Sequence, residues 1–238
     1  MNHPVLVIGG TRGTGLLIAR LLSQQGRAVR VLARDPGRAA TLLDPTVEIA
    51  PGDITHPDTL PPALGGVAHI VFTAGCRSGR PFGEAQIIAT EYRGTLNTLA
   101  AAQREGFAGR FLYMTASGVM RRSFASVALN LYKGNTLIWR RRAEAAIRAS
   151  ELDYTIIRTG VLLNRPGGQR AITLTQEALP LSPRYRIARA DVAEAFVAAL
   201  DHPKAKRATF EIAWGPGTRR ETWSGLLQGL TPDHETTS

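Results

Sequence analysis

The chain is poor in several residues that usually announce a function. It has one cysteine, Cys76, among 238 residues. That excludes an internal disulfide and fits a reducing cytoplasm. Arg77 follows it, a cationic neighbour of the kind that activates thiols, yet a buried and inert cysteine is the expectation. The five histidines are scattered without ligand spacing, so no metal centre is expected. Lysine occurs only at Lys133, Lys204 and Lys206. No apolar run approaches the roughly 20 residues of a membrane helix. The start "MNHPVLVIGG" lacks a basic region and a small-residue cleavage site, which argues against secretion. There is no internal repeat and no low-complexity tract.

What is present fits one globular α/β domain over residues 1–230. Hydrophobic residues make up 44% and charged residues 20%, ordinary values for such a domain. The net charge is +10, carried almost wholly by arginine. Such a charge suits an anionic partner: a phosphorylated cofactor, nucleic acid or a membrane surface. No basic stripe interleaved with aromatics is present, so nucleic acid is the weakest of these readings.

Strands alternate with helices. Val5–Gly9, Ala28–Ala33, Val47–Ala50, Ala68–Thr73, Arg110–Thr115 and Tyr154–Arg158 read as short buried strands. Thr14–Gln25, Glu84–Glu105 and Asn135–Ser150 read as helices, with Gly26 and Gly106 as stop signals. That alternation implies βαβ units and a parallel sheet covered on both faces, a Rossmann-type doubly wound fold. After Arg158 the rhythm loosens. Asp191 is expected to cap a helix to Leu200, and Thr209–Ala213 to form a late strand. Residues 159–190 and 209–230 are expected to build a small lobe over the carboxyl edge of the sheet, and 231–238 a disordered tail.

The segment "VLVIGGTRGTG" places a glycine-rich turn between the first strand and first helix. This is the order a dinucleotide site requires. Gly9, Gly10 and Gly13 permit close backbone approach, Thr11 and Arg12 complete the turn, and Gly15 lets helix and strand pack tightly. The helix beginning near Thr14 offers its positive end to a pyrophosphate. An NAD site would carry an acid at the end of the second strand. Here "VLARDP" has Arg34, and Asp35 one position later is expected to point away. Arg34 with Arg12, and Arg38 nearby, would suit the 2′-phosphate of NADP(H).

In order and spacing, "VLVIGGTRGTG", "VLARDP", "GDITHPDTL" and "IVFTAG" resemble the atypical short-chain dehydrogenase/reductase superfamily, in its NAD(P)H-binding, NmrA-like branch. The likeness extends through "GNTLIWRRRAEAAIRASELDYTIIRTGVLLNRPGG" and "ARADVAEAFVAAL". It implies that Asp53 and Ile54 bracket the adenine, and that Thr73, Ala74 and Gly75 pass under its ribose. It also implies that Thr159, Gly160 and Val161 meet the nicotinamide carboxamide. Catalytic members use Ser or Thr with a Tyr four residues before a Lys. By likeness the lysine place falls on Arg142 and the tyrosine place on Ile138, which has no proton to give. Thr115 and Ser117 stand near the Ser/Thr place. Tyr132 is expected in a loop with a packing role.

The implied activity is NADPH-dependent reduction of a quinone, flavin or similar conjugated acceptor. The alternative is a non-catalytic NADP(H) sensor or assembly factor, with RNA binding a weaker third. Substrate and oligomeric state, monomer or homodimer, are not legible.

Overall fold

A computed structural model describes residues 3–76 and 83–233. Arg77 and the expected tail from residue 234 onward lie outside these. Strand β1 (Val5–Ile8) is apolar and buried at every position. It pairs in parallel with β2 (Val29–Ala33) on one side and with β4 (His69–Phe72) on the other. Outward from β2 lies β3 (Glu48–Pro51); outward from β4 lie β5 (Arg110–Ala116) and β6 (Asp153–Thr159). After β6 the chain forms β7 (Val161–Leu163), β8 (Ile172–Thr175), β9 (Arg186–Ala188) and β10 (Ala208–Trp214). The main sheet runs β3-β2-β1-β4-β5-β6-β10-β8, parallel except for β8 against β10. This is the expected doubly wound Rossmann-type sheet.

Alternate residues of β1 serve opposite cores. Val5 and Val7 pack with α1 (Gly13–Gln24) and α8 (Arg189–Ala199), through Ile18, Leu22, Val192 and Phe196. Leu6 and Ile8 pack with α5 (Gly94–Arg104) and α7 (Thr136–Ala149), through Leu99, Ala102, Ala143 and Ile147. Burial of both sheet faces explains why these strands are apolar runs rather than alternating ones. Shorter helices α2 (Pro36–Ala40), α3 (Pro61–Leu64), α4 (Glu84–Ile87), α6 (Phe124–Tyr132) and α9 (Trp223–Gln228) complete the set. Among the described residues no helix is long and apolar enough to cross a membrane.

Four sequence expectations change. The helix expected over Glu84–Glu105 is interrupted by a π-helical segment, Ile88–Arg93, which carries buried Glu91. Such one-turn expansions often mark functional positions. Residues 209–214 are not in a peripheral lobe; they form buried β10 inside the main sheet. What lies over the carboxyl edge is the small β7–β9 pair and the segment between β8 and β9. Asp191 caps nothing. It is fully buried and accepts hydrogen bonds from Trp214 Nε1, Arg220 Nη1 and Gly168 N, so it ties β10 to the peripheral loops. Finally, residues 231–233 are anchored. Asp233 accepts from Thr209 N, Thr209 Oγ1 and Tyr154 OH, and Thr231 N donates to Gln176. Polar composition suggested a free tail because these partners lie far away in sequence.

Candidate cofactor site

After β1 the chain winds outward to β2 and β3, then returns to place β4 on the other side of β1. That reversal opens a crevice at the carboxyl ends of β1 and β4, where open α/β sheets bind ligands. Its floor is backbone. Gly9 has φ +86°, and a Cβ there would sit 2.8 Å from Ala74 N. A Cβ on Gly10 would meet Val31 at 2.9 Å. A Cβ on Gly15 would collide with Gly9 O and Thr73 Oγ1. Thr73 donates its own hydroxyl to Ile8 O, so it braces β1 rather than facing a ribose. Thr11 is half-buried in the turn.

Gly13 differs from these. Its φ is +52°, and a Cβ there would meet only Arg189 Nη1, at 4.0 Å. The space beside Gly13 is open, at the start of α1, whose N-cap Arg12 gives no side-chain cap. The first-turn N–H groups of a helix have no intrahelical partners. Thr14 Oγ1 is buried and also lacks one. An open cradle, uncapped amides and an orphaned hydroxyl fit a bound pyrophosphate.

Arg12 is exposed and donates to Gly75 O at 2.7 Å, reaching from the glycine turn to the end of β4. Arg34, with its side chain 77% exposed, lies 3.9 Å from Asp53. Each of the two expected clamp residues thus has its own protein partner, Gly75 for Arg12 and Asp53 for Arg34. Asp35 is spent on Arg38 N as the cap of α2. Asp53 accepts from Thr55 N and Oγ1, closing its own loop. Ile54 is buried against Gly94 of α5, so it packs in the core instead of lying open to an adenine.

Under Gly75 sits a buried ion pair. Glu91 is 1% exposed. It accepts from Arg140 Nε at 2.9 Å, Arg140 Nη2 at 3.1 Å, Thr136 Oγ1 at 2.7 Å and Cys76 N at 3.0 Å. Burial alone would raise the Glu91 carboxyl, but the Arg140 charge and these donors hold it below its ordinary value. Burial likewise opposes the Arg140 charge, and Glu91 more than restores it. Cys76 is buried, as expected.

Arg140 Nη2 lies 3.1 Å from where a Gly75 Cβ would be. Arg142 does not share this place. It is exposed and stacks on Trp139, 4.4 Å from the ring centre. Two residues turn a helix by about 200°, so Arg140 points in and Arg142 out. In the run "RRR" no local signal distinguishes them.

The remaining expected residues are more enclosed than the sequence suggested. Thr115 and Ser117 are buried, with hydroxyls lacking a partner. Gly118 N donates to Leu179 O, and a Cβ on Gly118 would strike Leu181, so the segment 179–181 roofs the end of β5. Thr159 donates to Thr115 O. Gly160 lies against Tyr185 O with no room for a side chain. Of 159–161 only Val161 is exposed. Tyr132 ends α6 and is exposed, contrary to the expected packing role in a loop.

Two features were missed in the sequence. Arg189 is half-buried, donates to Asn164 Oδ1 at 2.9 Å, and faces Gly13. Among the described residues it has no carboxylate partner, and burial lowers its pKa. The other is Glu211 on β10, 3.7 Å from Arg158, which pairs with Glu144 at 2.6 Å. Burial raises the Glu211 carboxyl, although the Ser117 hydroxyl and Leu179 backbone lie beside it.

The sequence model of the NAD(P)H-binding family matches residues 9–203. Sanguinarine reductase of Eschscholzia californica is 30% identical over 266 aligned positions, covering 95% of this chain and 96% of that protein. Photosystem II assembly factor Ycf39 of Synechocystis sp. is 29% identical over 224 positions, covering 89% of this chain and 64% of that one. A short-chain dehydrogenase/reductase of Veillonella parvula, solved in complex with NADP, superposes with TM-score 0.72 at 19% identity, over 92% of this chain and 97% of that one. Crevice, glycine cradle and sequence likeness agree: the chain belongs to the NAD(P)H-binding family of short-chain dehydrogenase/reductase-like Rossmann proteins.

Proposed function

We propose that the protein is an NADP(H)-dependent reductase of a conjugated, electron-poor acceptor such as a quinone or flavin. The observation that carries this is the Glu91–Arg140 pair under Gly75. We take Arg140, rather than the Arg142 to which the resemblance pointed, to fill the lysine's place, because Arg140 lies against Gly75 while Arg142 stacks on Trp139; the residue four earlier is then Thr136, bonded to Glu91. No tyrosine stands there to protonate a carbonyl, and a guanidinium keeps its proton at neutral pH and is no acid there. The acceptor must therefore take hydride without help from a strong local acid, and solvent completes its protonation. The likeness to sanguinarine reductase supports reductase chemistry.

NADPH, when bound, supplies hydride from its nicotinamide C4. The chain's residues do the rest. Gly13, Thr14 and the start of α1 hold the pyrophosphate, with Arg189 opposite. Arg34 and Arg12 take the 2′-phosphate; the diversion of Asp35 to cap α2 supports this, since the acid nearest the end of β2 is turned to its own helix. Arg140 orients the nicotinamide ribose, and Glu91 keeps it in place and charged. Leu179 and Leu181 shield the end of β5 from water.

A second reading, a redox-sensing assembly factor that turns nothing over, is favoured by the same missing acid and by the likeness to Ycf39. NADPH oxidation with a panel of quinones and flavins, run beside cofactor titration, separates the two. Tight cofactor binding with no turnover on any acceptor would overturn the reductase reading.

A further inference from the structure

Seven large hydrophobic side chains are exposed among the described residues, and six fall within a single stretch: Met120, Phe124, Val127, Leu131, Tyr132 and Ile138. Phe124 is 89% and Leu131 70% exposed. Phe124, Val127 and Leu131 recur at i, i+3 and i+7 of α6, so they form one stripe down the helix. Scattered exposed apolar residues are ordinary; a contiguous cluster marks a surface that something covers.

The surrounding charge is mainly positive, although Glu84 reaches the start of α7, where it accepts from Asn135 and Trp139. No Asp or Glu occurs in the sequence between Glu105 and Glu144. Arg121 and Arg122 precede α6 and are exposed; Lys133 follows it. Arg141 and Arg142 are exposed on the adjoining α7.

We propose that this face docks reversibly on an anionic lipid bilayer. A second copy of the chain would bring two predominantly cationic faces together, with Arg121, Arg122, Lys133, Arg141 and Arg142 on each. A bilayer supplies what the face lacks. Acyl chains accept the apolar stripe, and anionic headgroups accept the cations at both ends of the helix, the layout of an interfacial helix. Nine residues cannot span a membrane but can lie in its surface.

The face also borders the candidate site. Ser123, the cap of α6, donates to Leu181 O, and Leu181 roofs the end of β5. An acceptor dissolved in the bilayer would approach from this side. That consequence rests on the reductase reading; the docking itself does not.

The test is co-sedimentation of the whole protein with vesicles of phosphatidylcholine alone and of phosphatidylcholine mixed with phosphatidylglycerol. The mixed vesicles should bind about tenfold or more tightly, and salt should weaken that binding. Phe124→Ser with Leu131→Ser should cut partitioning by about tenfold or more. It should leave the melting temperature and NADP(H) affinity unchanged, because both side chains are exposed. Arg121→Gln with Arg122→Gln should weaken binding and flatten its salt dependence. Equal binding to both vesicle types would overturn the proposal, as would a Phe124/Leu131 variant that binds like the wild type. So would a dimer in sedimentation velocity that the same variant dissociates, or selective capture by an acidic protein surface without vesicle binding. NADP(H) affinity and turnover, read on the same variants, keep this result separate from the reductase reading.

Discussion

The two halves of the sheet prepare for a dinucleotide by different means. From β1 to β4 the site is backbone: glycines that touch strands, helix amides, and one hydroxyl without a partner. From β5 to β10 it is side chains: Glu91 with Arg140, Arg158 with Glu144 and Glu211, Asp191 with Arg220 and Trp214. A backbone site depends on contacts that only glycine permits. An ionic site depends on charges that burial makes expensive unless each finds its partner.

The largest expected effect breaks the ionic half. Arg140→Met leaves Glu91 buried without its counter-charge and should cost about 3–5 kcal/mol of stability by denaturant titration. The Arg140→Met, Glu91→Gln pair should recover part of that loss. A single variant as stable as the wild type would show that Glu91 does not need the arginine.

Next come two glycines two residues apart in the backbone half. Gly15→Val should destabilise by about 1–3 kcal/mol or more, because the new side chain meets Gly9 O and Thr73. Gly13→Val should cost less in folding, chiefly the strain of a positive φ, about 1–2 kcal/mol. It should nonetheless lose NADP(H) binding. Calorimetric titration and a thermal melt on the same samples would distinguish them; unchanged affinity in a folded Gly13→Val protein would mean the cradle is misplaced.

Cofactor choice is the third contrast. Charge-assisted hydrogen bonds contribute about 1.5–3 kcal/mol each, so NADP(H) should be preferred by roughly tenfold to several hundredfold. Arg34→Asp should abolish or reverse that preference. Arg189→Gln should instead weaken both cofactors by the same factor, about tenfold, because it faces Gly13, where we propose that the shared pyrophosphate sits. Selective loss of NADP(H) alone would place Arg189 elsewhere.

The smallest effect concerns pH. The folded pKa of Glu91 lies below its unfolded value, so its stabilisation is present above the ordinary glutamate range, about pH 4–5. It is lost as pH falls through the folded value. Glu211 has the opposite sign. Its folded pKa is raised, so its contribution is greatest at low pH and declines as pH rises toward that value. Stability against pH for Glu91→Gln and Glu211→Gln, each set against wild type, should therefore diverge in opposite directions.

How much was legible follows the same division. The strands, the glycine turn and α1 were readable because apolar runs and glycines act on their immediate neighbours. The helix α6, the π-segment and the β7–β9 pair were not, since α6 lacks an apolar stripe facing the core and a π-turn has no period of its own. The peripheral lobe was placed too generously, because β10 looks like any late strand until its pairing with β6 is seen.

The sequence by itself determined the class of the protein and the position of its cofactor turn: a glycine at Gly9, Gly13 or Gly15 is a statement about backbone that neighbouring residues can make. Tertiary structure alone decided which arginine faces the site. Arg140, Arg141 and Arg142 have the same chemistry and nearly the same local context. Only the helix's rotation against β5, and a buried carboxylate 49 positions earlier in the chain, select Arg140. Arg189 meets Gly13 for a similar reason: charges are paired or left unpaired in space, at separations that no local pattern records.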